Sequence, residues 1–139
     1  MNFEKLLNEG KIEKVEKKEF ISNSIDKSIE FARKGFETEN YNEIMSVVYN
    51  AIFKIGNKLM NYLGFRAIGK EHHKHVFEFL LQTGLDPDLV GYFDNIRKRR
   101  NDFIYRDIGG TSREEAEEII NRADEFVHKI RTFVHKIGT

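Results

Sequence analysis

The chain has 139 residues, of which 40% are hydrophobic and 33% charged, and its 23 basic residues balance 23 acidic ones. That length supports one domain around one core, and the composition is that of a folded chain rather than a disordered one. A neutral total excludes a global field that gathers nucleic acid, and the absence of cysteine excludes disulfides, thiolate metal sites and cysteine nucleophiles.

No apolar run approaches the ~20 residues that cross a bilayer. The opening MNFEKLLNEGKIEK also lacks the basic-then-apolar order of a signal peptide. A cytoplasmic protein with no membrane contact is expected, forming a single domain over residues 1–139, with residues 1–12 as a short or frayed helix.

Every further segment reads as helix. The first long one is predicted over residues 11–37, with Ile21, Ile25, Ile29, Ala32 and Phe36 at three- and four-residue spacing. Its early part, KIEKVEKKEF, is mostly charged and is expected to project into solvent or fray. Asn40 then suits an N-cap for a helix over residues 41–63, in which Ile44, Val48, Ala51, Ile55, Leu59 and Leu63 form one stripe. Met45, Tyr49, Ile52, Phe53 and Met60 widen that stripe, so this helix is expected at the centre, with Gly64 ending it.

A connection over residues 65–69 leads to a shorter helix over residues 70–82, with Val76, Phe77, Leu80 and Leu81 inward and Gly84 as the stop. Asp86-Pro87 is a start signal, an Asp N-cap before Pro at the first helical position, for a helix over residues 87–106. Gly109-Gly110 breaks the chain, and Ser112 with Glu115 fits a capping box. The last helix places Ile119, Ala123, Phe126, Ile130, Phe133 and Ile137 in alternating steps of four and three. No segment shows strand alternation. The predicted fold is all-α, an antiparallel up-and-down helical bundle of four to five helices.

One residue breaks the pattern. On a wheel of ~100° per residue, Leu89, Phe93, Ile96, Phe103 and Ile104 share an arc about 100° wide, and Arg100 falls near its middle. A guanidinium cannot discard its charge, so on an apolar stripe it needs a partner or a water-accessible seam. Two readings stay open: an ion pair to a neighbouring helix, or an anion site. Arg97, Lys98, Arg99 and Arg106 surround it, and Asn101 and Tyr105 share a face at i and i+4. An Arg/Asn/Tyr cluster beside a basic run is a place for a phosphate, although a basic run is often just a solvated face.

The segment DNIRKRRNDFIYRD, preceded by YNAIFKIGNKLMNYLGF and KEHHKHVFEFL, resembles the HEPN domain (higher eukaryotes and prokaryotes nucleotide-binding) over about residues 25–133. The features are a central helix punctuated by small residues and ending in Gly, a His-rich opening of the next helix, and the Arg-Asn step in the penultimate helix. The resemblance implies a minimal, single-domain HEPN protein of the prokaryotic or archaeal type. It also implies a homodimer whose seam carries an Arg, a polar residue and, a few positions on, a His. Arg100 takes the Arg position and Asn101 the polar one, but Tyr105 stands where the His is expected.

That departure bears on chemistry. Metal-independent RNA cleavage needs a base for the 2′-OH proton and a cation for the developing charge on phosphorus. Arg100 suits the second task. A phenol of pKa ~10 is only about one part in a thousand ionised at pH 7, a deficit of ~4 kcal/mol unless nearby cations depress it. Tyr105 therefore predicts RNA or nucleotide binding with weak or no cleavage. The alternatives are an endoribonuclease with a composite Arg100/Tyr105 dimer site or a base from elsewhere, and a helical scaffold without nucleic-acid binding.

The sites expected are Arg100, Asn101 and Tyr105 for chemistry, Arg97, Lys98, Arg99 and Arg106 for nucleic-acid contact, and His73 and His75 as neighbours supporting the motif. His72, with His75 one turn on, makes a poor metal site, having no thiolate or fixed carboxylate. His128 and His135 read as flank or interface residues. No metal or cofactor is expected. The resemblance also implies a small nucleotidyltransferase partner, in a toxin–antitoxin-like pair, that can nucleotidylate a tyrosine such as Tyr105.

Overall fold

The computed structural model describes residues 1–106 and 110–138, with the side chains of all of these except 101–106. In chain order the elements are α1 (Glu4–Asn8), β1 (Ile12–Lys14), α2 (Asn23–Arg33), α3 (Tyr41–Leu63), β2 (Phe65–Ala67), α4 (His72–Leu81), α5 (Pro87–Arg106) and α6 (Arg113–Gly138), with one 3₁₀ turn, Lys34–Phe36, extending α2. The fold is predominantly all-α, with six α-helices among the described residues and one two-stranded sheet.

The apolar width of α3 explains its position. It packs against α2 and α6 on one side and α4 and α5 on the other. Val48, Tyr49, Ile52, Ile55, Leu59 and Met60 are wholly buried along it. Gly56 is where α4 comes closest, since a Cβ there would lie 3.1 Å from Val76 Cγ1 and 3.3 Å from Leu80 Cδ1. Gly64 ends α3 in the left-handed region at φ 91°, where a glycine carries no Cβ penalty.

Two of the three start signals act as expected. The backbone N–H of Asp88 donates to Asp86 Oδ1 at 2.9 Å, so Asp86 caps α5. Ser112 and Glu115 form the reciprocal capping box: the Glu115 N–H donates to Ser112 Oγ and the Ser112 N–H to Glu115 Oε1. Asn40 precedes α3, but its amide donates to Glu43 Oε2 instead of accepting from the helix backbone.

The helix expected over residues 11–37 is a correction. Only Asn23–Arg33 is α-helical; Ile12–Lys14 is a strand antiparallel to β2, with Ile12 opposite Ala67, and β2 lies in the expected connection. KIEKVEKKEF has too little apolar surface to hold a helix against the bundle, whereas Ile12 is buried when its backbone pairs with β2. The chain after β1 covers the C-terminal end of α3. Val15 N–H donates to the Gly64 carbonyl and Lys18 N–H to that of Asn61, satisfying acceptors that a helix end leaves open.

Further corrections follow from position along each helix. Ile21 precedes α2 and is 55% exposed, and Leu81 and Ile137, at the ends of α4 and α6, are 48% and 42% exposed. At those places the neighbouring helices no longer cover the stripe. Phe79 is buried instead, against Phe3, whose ring stacks on it at 4.2 Å. Among the described residues, no helix is long and apolar enough to cross a membrane.

Candidate functional site

A cleft of about 270 Å³ opens where α4 begins and α5 passes over α3, lined by Tyr49, Lys70, Glu71, His73, Lys74, Arg97 and Arg100. Each helix contributes for a local reason. Tyr49 lies on the broad apolar face of α3, so its ring is buried while its hydroxyl reaches the cleft wall. His73 is in the first turn of α4, where the chain has just left β2. Arg97 and Arg100 are one turn apart on α5 and so share a face.

Arg100 sits with its Cζ 5.1 Å from the centroid of the Tyr49 ring, within cation–π range. Among the described residues no carboxylate pairs with it. Arg97 donates through Nε to Asp94 Oδ1 at 2.8 Å, a contact that leaves its terminal nitrogens outside the pair. The charge around Arg100 is thus only partly neutralised among the described residues.

His73 joins the same wall. Its Nδ1 is 3.0 Å from the Tyr49 hydroxyl, and its ring stacks on Phe53 at 3.7 Å with planes 9° apart. Burial, then the charges of His72, Arg100 and Arg97, lower its pKa to about 4. Burial likewise pushes the Tyr49 phenol up to about 12, against the opposing pull of Arg97 and Arg100. At neutral pH both groups are therefore uncharged. With the hydroxyl donating to Nδ1, the imidazole carries its single proton on Nε2.

The expected site residues separate. Arg97, Arg100 and His73 are brought together in the cleft. Lys98 is exposed and lies 3.7 Å from Asp94. Arg99 faces the opposite way, pairing with Glu115 near the start of α6. His75 is buried, with Nδ1 2.8 Å from the Ile68 carbonyl, a bond that ties α4 to the end of β2. His72 is exposed, 3.2 Å from the Gly69 carbonyl, and packs edge-on against Phe53 and His73. The side chains of Asn101, Tyr105 and Arg106 lie outside the described residues. No cluster of three metal-binding side chains is present among the described residues.

Sequence reasoning missed Tyr49, Lys70, Glu71 and Lys74. Tyr49 read as one more core position. The one signal in the sequence was a phenol on a stripe otherwise built of aliphatic and Phe side chains, since a buried hydroxyl needs a partner. The arrangement can hold an oxyanion between the guanidiniums and present a flat, neutral imidazole beside it.

Neither curated proteins nor solved structures gave a match to this chain. A family model, that of the HEPN domain, matches residues 19–133, which takes in α2 through most of α6 and all the cleft residues. The chain belongs to the HEPN domain family.

Proposed function

We propose that this protein binds RNA or a nucleotide through the cleft between α3, α4 and α5, and that it holds the phosphate rather than cleaving it rapidly. The observation that carries this reading is Arg100, a guanidinium over the Tyr49 ring with no carboxylate of its own among the described residues, in a cleft shared with Arg97, Lys70 and Lys74. A half-buried cation in that state gains most from an external anion, and charge-assisted bonds from guanidinium to phosphate are among the stronger ones. Family membership supports the same class of ligand. In this reading the protein acts as a homodimer, with a small nucleotidyltransferase as a partner and Tyr105 as the acceptor residue.

The test is titration of the purified protein with single-stranded RNA in the presence of a chelator. Binding that weakens with salt and is lost in Arg100→Ala, without cleavage of the RNA, is the expected outcome. A protein that binds nothing, and in which Arg100→Ala only lowers stability, would leave the helical scaffold reading.

One observation favours a second reading, metal-independent cleavage. His73 presents an unprotonated imidazole in the cleft with Arg100, so a base is available that does not depend on Tyr105. In that case His73 takes the other tautomer, with Nδ1–H donating to the Tyr49 oxygen; its Nε2 then accepts the 2′-OH proton, the 2′-oxygen attacks phosphorus, and the 5′-oxygen leaves with a proton from water. RNA cleavage lost in both His73→Gln and Arg100→Ala but retained in Tyr105→Phe would establish this reading over simple binding.

A further inference from the structure

The surroundings of His73 are those of a group kept neutral by its neighbours. From α4 come His72 and Lys74, from the turn before it Lys70 and Glu71, from α3 the Tyr49 hydroxyl and the Phe53 ring, and from α5 Arg97, Arg100 and Asp94. Cations outnumber the two carboxylates, and one of these, Asp94, is already engaged by Arg97. A proton arriving on His73 without a ligand in the cleft would face two guanidiniums and, among the described residues, a single carboxylate of the cleft wall, Glu71. An oxyanion bound there removes that repulsion and becomes the counterion.

We propose that His73 is the proton-linked member of an anion site: an oxyanion held by Arg97 and Arg100 draws one proton from solvent onto His73 Nδ1, so ligand binding at this cleft is coupled to protonation. This rests on the cleft being the binding site. The atoms balance simply, because the proton comes from the buffer and no other bond is made or broken.

The geometry accommodates the imidazolium. Nδ1, having gained a hydrogen, donates to the Tyr49 oxygen 3.0 Å away, which turns from donor to acceptor. The tyrosine hydrogen is then released to point at another acceptor, the bound oxyanion included. Phe53, stacked at 3.7 Å, gives the charged ring a π face to rest on. Tyr49 thereby links the protonation of His73 to the direction of a hydrogen bond in the cleft.

The test uses oligouridylate and, separately, sulfate, because neither titrates between pH 5.5 and 7.5. Affinities are measured in the full-length protein across that range, and calorimetry in buffers of different ionisation enthalpy counts protons taken up on binding. With His73 returned to an ordinary imidazole pKa by the ligand, affinity should rise roughly tenfold from pH 7.5 to 5.5, with proton uptake approaching one at the acid end. In His73→Gln the rise should fall below about twofold while binding at pH 7.5 persists. His72→Gln should behave as the parent protein, which separates the cleft histidine from its exposed neighbour. Binding with the same pH dependence in His73→Gln as in the parent would overturn proton linkage and leave the binding reading intact. Failure of both probes to bind at any pH would overturn both.

Discussion

Tyr49 and Tyr92 are both phenols that burial pushes up to about 12, and both lie under an arginine: Arg100 at 5.1 Å from the first ring, Arg122 at 5.5 Å from the second. Their surroundings differ in carboxylates. Beside Tyr92, Arg122 faces Glu118 at 3.8 Å and Arg99 pairs with Glu115, so charge closes within the protein. Beside Tyr49, the described residues supply Arg100 with no acid, and the cations of the α4–α5 cleft remain in surplus. An arginine over an aromatic ring is thus no mark of a site by itself. The mark is an arginine to which the described residues supply no counter-charge.

The largest expected effect is on binding. Arg100→Ala should weaken oligouridylate binding by tenfold or more at low salt, the loss expected for charge-assisted hydrogen bonds worth ~1.5–3 kcal/mol. Arg122→Ala should stay within about twofold. Fluorescence anisotropy on both variants measures this, and equal losses would erase the distinction between the two tyrosine–arginine pairs.

Next in size is a pH effect on stability. His73 has its pKa lowered from the ordinary value to about 4, so between those values the unfolded chain takes up the proton more readily than the folded one. Stability is therefore fully present above pH ~6.5 and is lost as pH falls toward 4. Discounted for solvent screening of a half-exposed ring, the loss attributable to this residue is about 1–2 kcal/mol. Urea unfolding at pH 7 and pH 4.5 should show a smaller drop in His73→Gln than in the parent; an equal drop would assign the acid sensitivity to carboxylates.

Tyrosine hydroxyls provide a third contrast. Tyr49→Phe leaves His73 Nδ1 without its partner and should cost about 1 kcal/mol in urea unfolding at pH 7. For Tyr92, whose hydroxyl has no hydrogen bond among the described residues, the same change should cost less than ~0.5 kcal/mol. The smallest effect tests the closed side directly. Glu118→Gln removes the acid facing Arg122 and should raise oligouridylate affinity by no more than about twofold, since an exposed cation gains little from a screened anion. A rise as large as the loss in Arg100→Ala would show that the cleft's shape adds nothing to its charge.

Local chemistry carried most of the helix boundaries into view. Asp86-Pro87, the Ser112/Glu115 box and Gly64 act within one turn of the chain, so their effect is legible wherever they occur. The 3.6-residue stripe of α3 likewise identified the central helix, because a helix apolar around much of its circumference has only the core to occupy. Arg100 stood out by the same logic, as a charge where periodicity demanded an apolar side chain.

What periodicity could not supply was partners distant in sequence. Ile12 is a strand residue only because Ala67 lies across from it, and Ile21 is exposed only because no helix reaches that far. From position 100 alone the two readings of Arg100 had equal standing, since Tyr49 and any acid on another helix were equally invisible, and only its basic, Asn and Tyr neighbours in the sequence tilted toward an anion site. The sequence by itself determined the main helices, the Asp86 and Ser112/Glu115 caps and the misplaced cation, all consequences of interactions within a few residues. The tertiary structure alone decided that His73, Tyr49, Arg97 and Arg100 share one cleft, because that depends on how close α4 comes to α3 at Gly56 and on which face α5 turns toward them.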